Sequence, residues 1–224
     1  RMARMDLDTT RTKNKIEKLF ESIENKEIDV LVGTQMVTKG LDFENIELIG
    51  IIDADTMLNF PDFRSNERSF QLFTQVSGRA GRRNHQGLVM IQTSQPKHPV
   101  LMFLLQNDYK GFVQWQLEER KKFNYPPFVR IVKIELKNKD LSQVREISKK
   151  LAFELRKIKS MEVLGPQAPI IGKIQNYYIM ELWLKLNRNN DALKQRDEVY
   201  ATIHRFFSVP ELRYFKWSAD VDPM

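Results

Sequence analysis

Apolar residues along the chain change period several times, and each change marks an element. Leu141, Val144, Ile147, Leu151, Leu155 and Ile158 recur every three or four positions, one stripe of a helix over 141–159. At 177–187 the period falls to two, with Leu182, Leu184 and Leu186 alternating with Glu181, Trp183 and Lys185, which is a strand. Ile16, Leu19, Phe20 and Ile23 predict a helix over 13–25, while the apolar runs at 29–32, 48–52 and 87–92 read as buried strands. Phe70, Phe73, Val76 and Ala80 share one side of a predicted helix over 66–82. Residues 99–122 read as a long helical segment with a break near Gly111. Beyond it the periods give strands at 130–137, 161–165 and 211–219, and a helix at 191–207. Residues 1–5 read as a strand already under way, which suggests a piece cut from something longer.

Two prolines in Tyr125-Pro126-Pro127-Phe128 stop a helix and force extension, so the domain boundary is placed between residues 124 and 125. The order of elements in 1–124 predicts an α/β domain: a parallel sheet with helices on both faces. Ligands gather at the carboxyl ends of such strands, where the loops 33–43 and 53–64 emerge. The order β-α-β-β-α-β in 125–224 predicts a smaller α+β domain of the ferredoxin-like, split βαβ kind. Its two helices would cover one face of the sheet and leave the other free. That free face would carry Lys133, Glu135, Lys137, Glu181, Trp183 and Lys185. Charges around a large aromatic suit a stacking platform for single strands; a solvated face with Trp183 covered by a neighbour is the other reading, and both stand open.

Composition narrows the partners. With 42% hydrophobic and 29% charged residues the chain reads as globular, and no apolar run approaches the roughly 18 residues of a membrane span. Cysteine is absent, which excludes disulfides and thiolate metal sites and suits a reducing cytoplasm. Three histidines (His85, His98, His204) lie far apart with no ligand spacing, so no metal site is expected. A net charge of +7 favours a polyanion such as nucleic acid, with no membrane partner.

Two stretches carry the candidate chemistry. In Gln75-Val76-Ser77-Gly78-Arg79-Ala80-Gly81-Arg82, residues 75, 78, 79 and 82 fall on one helical stripe, opposite the apolar side. Two guanidiniums beside a glycine present planar forks matched to phosphate oxygens. A solvated basic helix end, with Gly81 as its C-cap, would look the same. In the loop 33–43, Thr34, Gln35 and Lys39 offer a hydroxyl, an amide and a cation to a backbone phosphate. Gly40 permits a left-handed exit, and Asp42 could accept from ribose hydroxyls. No Gly-x-x-x-x-Gly-Lys-Ser/Thr cradle occurs, so Asp53 and Asp55 are read as loop-capping or partner-contacting groups rather than metal ligands.

Residues 32–43, Val-Gly-Thr-Gln-Met-Val-Thr-Lys-Gly-Leu-Asp-Phe, resemble motif V of superfamily 2 helicases, and residues 75–82 resemble their motif VI. The run from Asp53 to Arg64, Glu67-Arg68, Glu119-Arg120, Tyr125 to Phe128, Val163 to Pro166 and Asp220 to Pro223 narrow the likeness to the bacterial replication-restart helicases. The resemblance implies a RecA-like second helicase lobe followed by the split βαβ domain. It implies that Arg79 and Arg82, with Gln75, act catalytically on ATP held by another lobe, with Gly40, Asp42 and Gly78 near the nucleotide. Thr34, Gln35, Lys39 and, more loosely, Arg64 would face DNA, as would Lys185 and Trp183 on the second domain. Implied cofactors are ATP and Mg2+, bound mainly by a first lobe, and zinc in a cysteine-rich module; neither lobe nor module is in this sequence. Implied partners are forked and single-stranded DNA, the acidic tail of the single-strand-binding protein, with Lys194 and Arg196 as contacts, and other primosome proteins. The expected function is the ATP-coupling part of a 3′–5′ DNA helicase, inactive as an ATPase by itself. A non-enzymatic DNA-binding or partner-docking module is the competing class.

Overall fold

A computed structural model describes residues 1–6, 13–34, 46–78, 80, 87–159, 161–188 and 192–223. The chain divides into two compact units, Arg1–Gln116 and Leu117–Met224.

In the first unit every described strand pairing is parallel. Strand β1 (Met2–Met5) pairs with β2 (Val30–Gly33), and between them in sequence lies helix α1 (Lys13–Glu24). Strand β3 (Leu48–Ile51) pairs with β4 (Leu88–Ile91) in the register Leu48↔Leu88 to Ile51↔Ile91. Parallel neighbours need a crossover, and the chain between β3 and β4 supplies helices α2 (Ala54–Leu58) and α3 (Ser65–Ser77). Against them pack α4 (Pro99–Leu105) and α5 (Tyr109–Lys122). Their shared core is Ala54, Leu58, Phe70, Phe73, Val100, Leu101 and Phe112, with Ile51 and Ile91 bringing in one side of the strand pair. The Phe70 and Phe112 rings stack at 4.1 Å with 8° between planes. Burying a side chain such as Phe73 stabilises by roughly 1.5–3 kcal/mol.

Two predicted boundaries move, and one predicted break is placed. Residues 53–64, expected as loop, contain α2. Its short length hides the helical period, and only the cap announces it: Asp53, at φ 55°, accepts from Thr56 N at 3.4 Å and Thr56 Oγ1 at 2.6 Å. The break in 99–122 falls near Gly111, as expected, between Leu105 and Tyr109. Asn107 takes a left-handed φ of 53°, and Asp108 caps α5 by accepting from Gly111 N at 2.9 Å. A Cβ at Gly111 would meet Asp108 Oδ2 at 2.1 Å, so the capping carboxylate would have to shift. Helix α3 stops at Ser77, five residues short of the predicted end, with Gly78 as its C-cap at φ −68°. A glycine lowers helix propensity by about 1 kcal/mol relative to alanine, and two glycines lie within four residues here.

The second unit is built on one antiparallel sheet in the order β6-β8-β5-β9, with the two-residue β7 also on β8. The strands are β5 (Val129–Asn138), β6 (Met161–Gln167), β7 (Lys173–Ile174), β8 (Tyr177–Asn187) and β9 (Lys216–Val221). Helices α6 (Leu141–Leu155) and α7 (Ala192–Phe207) cover one face. The register explains the core: Val132↔Leu184, Ile134↔Leu182 and Leu136↔Met180 stand side by side and meet Val144, Leu151, Leu155, Val199 and Ile203. The expected strand over 211–219 starts late, because Pro210–Leu212 forms a 3-10 turn; Phe215 is buried before β9 begins.

Candidate nucleotide and nucleic-acid site

The two motif stretches grow from defined shoulders. Thr34 follows directly on β2, exposed at its carboxyl end, while Gln35, Lys39, Gly40 and Asp42 lie outside the described residues. Gln75 sits in the last turn of α3 and is exposed. Gly78 ends that helix, its N–H bonded to Thr74 O at 3.0 Å. Arg79 and Arg82 lie outside the described residues. Of the predicted stripe, Gln75 lies on α3 and Gly78 is its C-cap. The apolar side is as predicted: Phe70, Phe73 and Val76 are buried, so Gln75 is held on the opposite, solvent-facing side.

The two aspartates after β3 act as caps. Besides Asp53 at α2, Asp55 reaches to the residues following β4, accepting from Ser94 N at 2.8 Å and from the hydroxyls of Ser94 and Thr93. The Ser94 and Thr93 hydrogen bonds hold the Asp55 carboxyl below its ordinary range. His98 opens α4, its Nδ1 accepting from Val100 N at 3.3 Å; burial pushes its pKa down, against the pull of Asp55, and favours the neutral acceptor form. Among the described residues no group of three or more His, Cys, Asp or Glu could hold a metal.

Arg64 is half-buried and folds back on its own segment, its guanidinium 4.3 Å from the centre of the Phe63 ring. On the second unit the sheet face opposite the helices is not the free surface expected. Ile131 and Ile179 on it are buried, and Lys185 is 9% exposed, donating to Phe123 O at 2.9 Å with Tyr125 beneath it at 4.5 Å. Glu162 Oε2 stands 3.5 Å from the same ammonium. Trp183 is half-buried and donates to Glu181 Oε2 at 3.3 Å. Next to it Glu135 bridges Lys133 and Lys137, at 2.9 Å each, and the Lys133 hydrogen bond holds its carboxyl below the ordinary range. A face whose charges pair with one another, with a lysine engaged by the chain itself, is partly covered rather than free. The alternation of β8 shows which residues point that way and cannot show that Phe123 and Tyr125 reach them.

Residues 121–224 match the family model described as "Primosomal protein N C-terminal domain", and residues 3–84 match "Helicase conserved C-terminal domain". Proteins called "Replication restart protein PriA" align over most of the chain. That of Synechocystis sp. is 41% identical over 187 residues, 83% of this chain and 22% of the relative. The Bacillus subtilis protein is 39% identical over 83% of this chain and 23% of its own length. The Borreliella burgdorferi protein is 35% identical over 91% of this chain and 32% of its own length.

The chain belongs to the PriA family.

It spans 22% to 32% of the length of these PriA relatives. The helicase match encloses both motif stretches, and the primosomal match encloses the whole antiparallel sheet. One cluster escaped the sequence reading, an arginine-lined cavity that gathers Arg120, Arg130 and Arg188 around Asp222. Glu119-Arg120 and Asp220 to Pro223 were visible as PriA-like stretches, but nothing in one sequence says that they meet.

Proposed function

We propose that this chain is the ATP-coupling portion of a DNA helicase that restarts stalled replication forks and loads the primosome. The observation carrying this reading is the succession, on one chain, of a helicase C-terminal domain at 3–84 and a primosomal C-terminal domain at 121–224. In this reading the first unit is a RecA-like second lobe, supported by its parallel strand pairs. The second is a split βαβ domain, supported by the order β6-β8-β5-β9 with both helices on one face.

Arg79 and Arg82, with Gln75 beside them, reach the γ-phosphate of ATP, and Gly40, Asp42 and Gly78 border the nucleotide. Thr34, Gln35 and Lys39 take the tracked strand. Arg64, stacked on Phe63, is the least direct DNA contact of this set. These donors fit the phosphate end of a nucleotide, whereas a chain without cysteine does not fit a zinc cluster of thiolates. Magnesium, bound with ATP, supplies charge neutralisation on the phosphates. Since the sequence has no P-loop, this chain supplies the positive wall alone and holds no nucleotide by itself. Partners are forked and single-stranded DNA, primosome proteins and the tail of single-strand-binding protein, with Lys194 and Arg196 for the tail; the compartment is the cytoplasm.

The chain alone is expected to show no ATP turnover. A P-loop lobe added in trans restores it, and Arg79→Ala removes that restored activity by about 10³-fold or more, the scale of an arginine finger. ATP turnover by this chain alone that disappears in Arg79→Ala overturns the assignment. The competing docking-module reading rests on the second unit alone and requires forked DNA to bind residues 117–224 as tightly as the whole chain.

A further inference from the structure

We infer that the arginine-lined cavity of the second unit takes a backbone phosphate of DNA. The inference rests on the DNA-binding reading above and gives it a specific site. The cavity measures about 250 Å³ and is lined by Arg120, Arg130, Arg188, Asp222, Val129, Pro126 and Pro127. Three elements bring the guanidiniums together: Arg120 from the last turn of α5, Arg130 from the start of β5, and Arg188 from just beyond β8.

Each arginine is aimed by a separate anchor. Arg120 Nη1 donates to Pro126 O at 2.8 Å, and Arg188 Nη1 donates to Pro127 O at 3.0 Å. A guanidinium has five donors, so the single bond from Arg188 to Pro127 O orients its fork and leaves other N–H groups of this exposed side chain for a ligand. Arg130 Nε lies 3.3 Å from Asp222 Oδ2, while Asp222 Oδ1 accepts from Ile131 N at 3.2 Å. Both oxygens of the carboxylate are therefore engaged along β5. The lining carries three arginines against one aspartate, and of the arginines Arg130 and Arg188 are exposed. Among the described residues Arg188 makes no salt bridge, and its exposure opens the site to solvent.

The chemistry favours phosphate. Arginines rather than lysines line the site, and their planar forks pair with two oxygens at once. The two prolines add wall without N–H groups. The volume exceeds that of an orthophosphate and leaves room for an attached sugar. A DNA backbone provides such a group in a chain of identical ones, and a protein of net charge +7 meets it with favourable long-range attraction.

The test uses the whole chain and a fluorescein-labelled duplex, with binding followed by anisotropy against NaCl concentration. Arg188→Ala is expected to lower the magnitude of the log–log salt slope by about 0.9, one phosphate contact on duplex DNA. Arg188→Glu weakens binding further, and Lys150→Ala, which removes an exposed helix lysine, leaves the slope unchanged. Circular dichroism matching the wild type keeps the comparison valid, as expected for an exposed side chain. Slopes that are the same in all four proteins overturn this site while leaving the DNA-binding reading intact. A wild-type chain that does not bind duplex overturns this site, and one that binds neither duplex nor forked or single-stranded DNA removes the DNA-binding reading as well. Arginine Nε–H NMR signals separate the source of the anion. A shift of the Arg188 signal on adding duplex supports the assignment; a shift with inorganic phosphate and none with duplex overturns it.

Discussion

The two units treat their sheets differently. In the second, helices cover one face and a paired-charge layer with buried isoleucines fills much of the other. In the first, the strands are apolar apart from Arg4, yet Val30, Val32, Leu48, Leu88 and Met90 are all exposed, at 46% to 58%. Parallel strands ordinarily carry apolar residues because both faces are covered. An antiparallel sheet can use polar residues on a face that is only partly dry, and β5 and β8 do so. The first unit thus presents apolar strand surface suited to contact with more protein, as the proposed lobe-to-lobe function requires, while β5 and β8 of the second keep their aliphatic residues buried. A complete core and a working interface place opposite demands on the same kind of residue.

The strongest test of that comparison is a pair of core truncations. Phe73→Ala is expected to cost about 3–5 kcal/mol and Leu182→Ala about 2–5 kcal/mol, both side chains being fully buried. If the units are separate in stability, calorimetry will show each variant lowering one transition and leaving the other in place. A single transition shifted by both would break the comparison. Next in size, Lys185→Ala should destabilise the second unit by about 1–3 kcal/mol, because the Phe123 carbonyl loses its partner in a nearly dry site. An unchanged melting temperature would return that face to the solvated class.

The smallest expected effect is Asp55→Asn, read as a difference in melting temperature. Its hydrogen bonds from Ser94 and Thr93 depress the carboxyl below the ordinary 3.8. The stabilisation is therefore present above pH 3.8 and fades as pH falls through the depressed value. Wild type should melt higher at pH 7, and the gap should narrow as pH falls below 3.8. A gap that persists at low pH would assign the role of Asp55 to shape rather than charge.

Legibility in the sequence follows the same division. The stripe from Leu141 to Leu155 and the leucine alternation of β8 specify α6, β8 and their packing, because each period has one low-energy burial pattern. The motif stretches could be found from residue types and spacing, and Asp53 and Asp55 could be read as caps. What sequence did not show depends on meetings between distant residues: Asp55 with Ser94, Lys185 with Phe123, and the arginines around Asp222. Asn107 in a left-handed turn is another such case, since asparagine tolerates that conformation without requiring it. Short α2, only five residues, lacks the length for a period to be recognisable.

The pairing of β5 with β9 has a consequence for how the second unit is made. Ile131 N and Asp222 Oδ1 bond across 91 positions of sequence, and the whole β5–β9 ladder spans a comparable distance. During synthesis β5 and β8 can zip together with one edge of β5 still bare, since the strand that covers it comes much later. Such long-range closure slows folding, and an open edge can recruit another chain. The nascent unit therefore passes through a stage in which a sister polypeptide can compete for the place of β9.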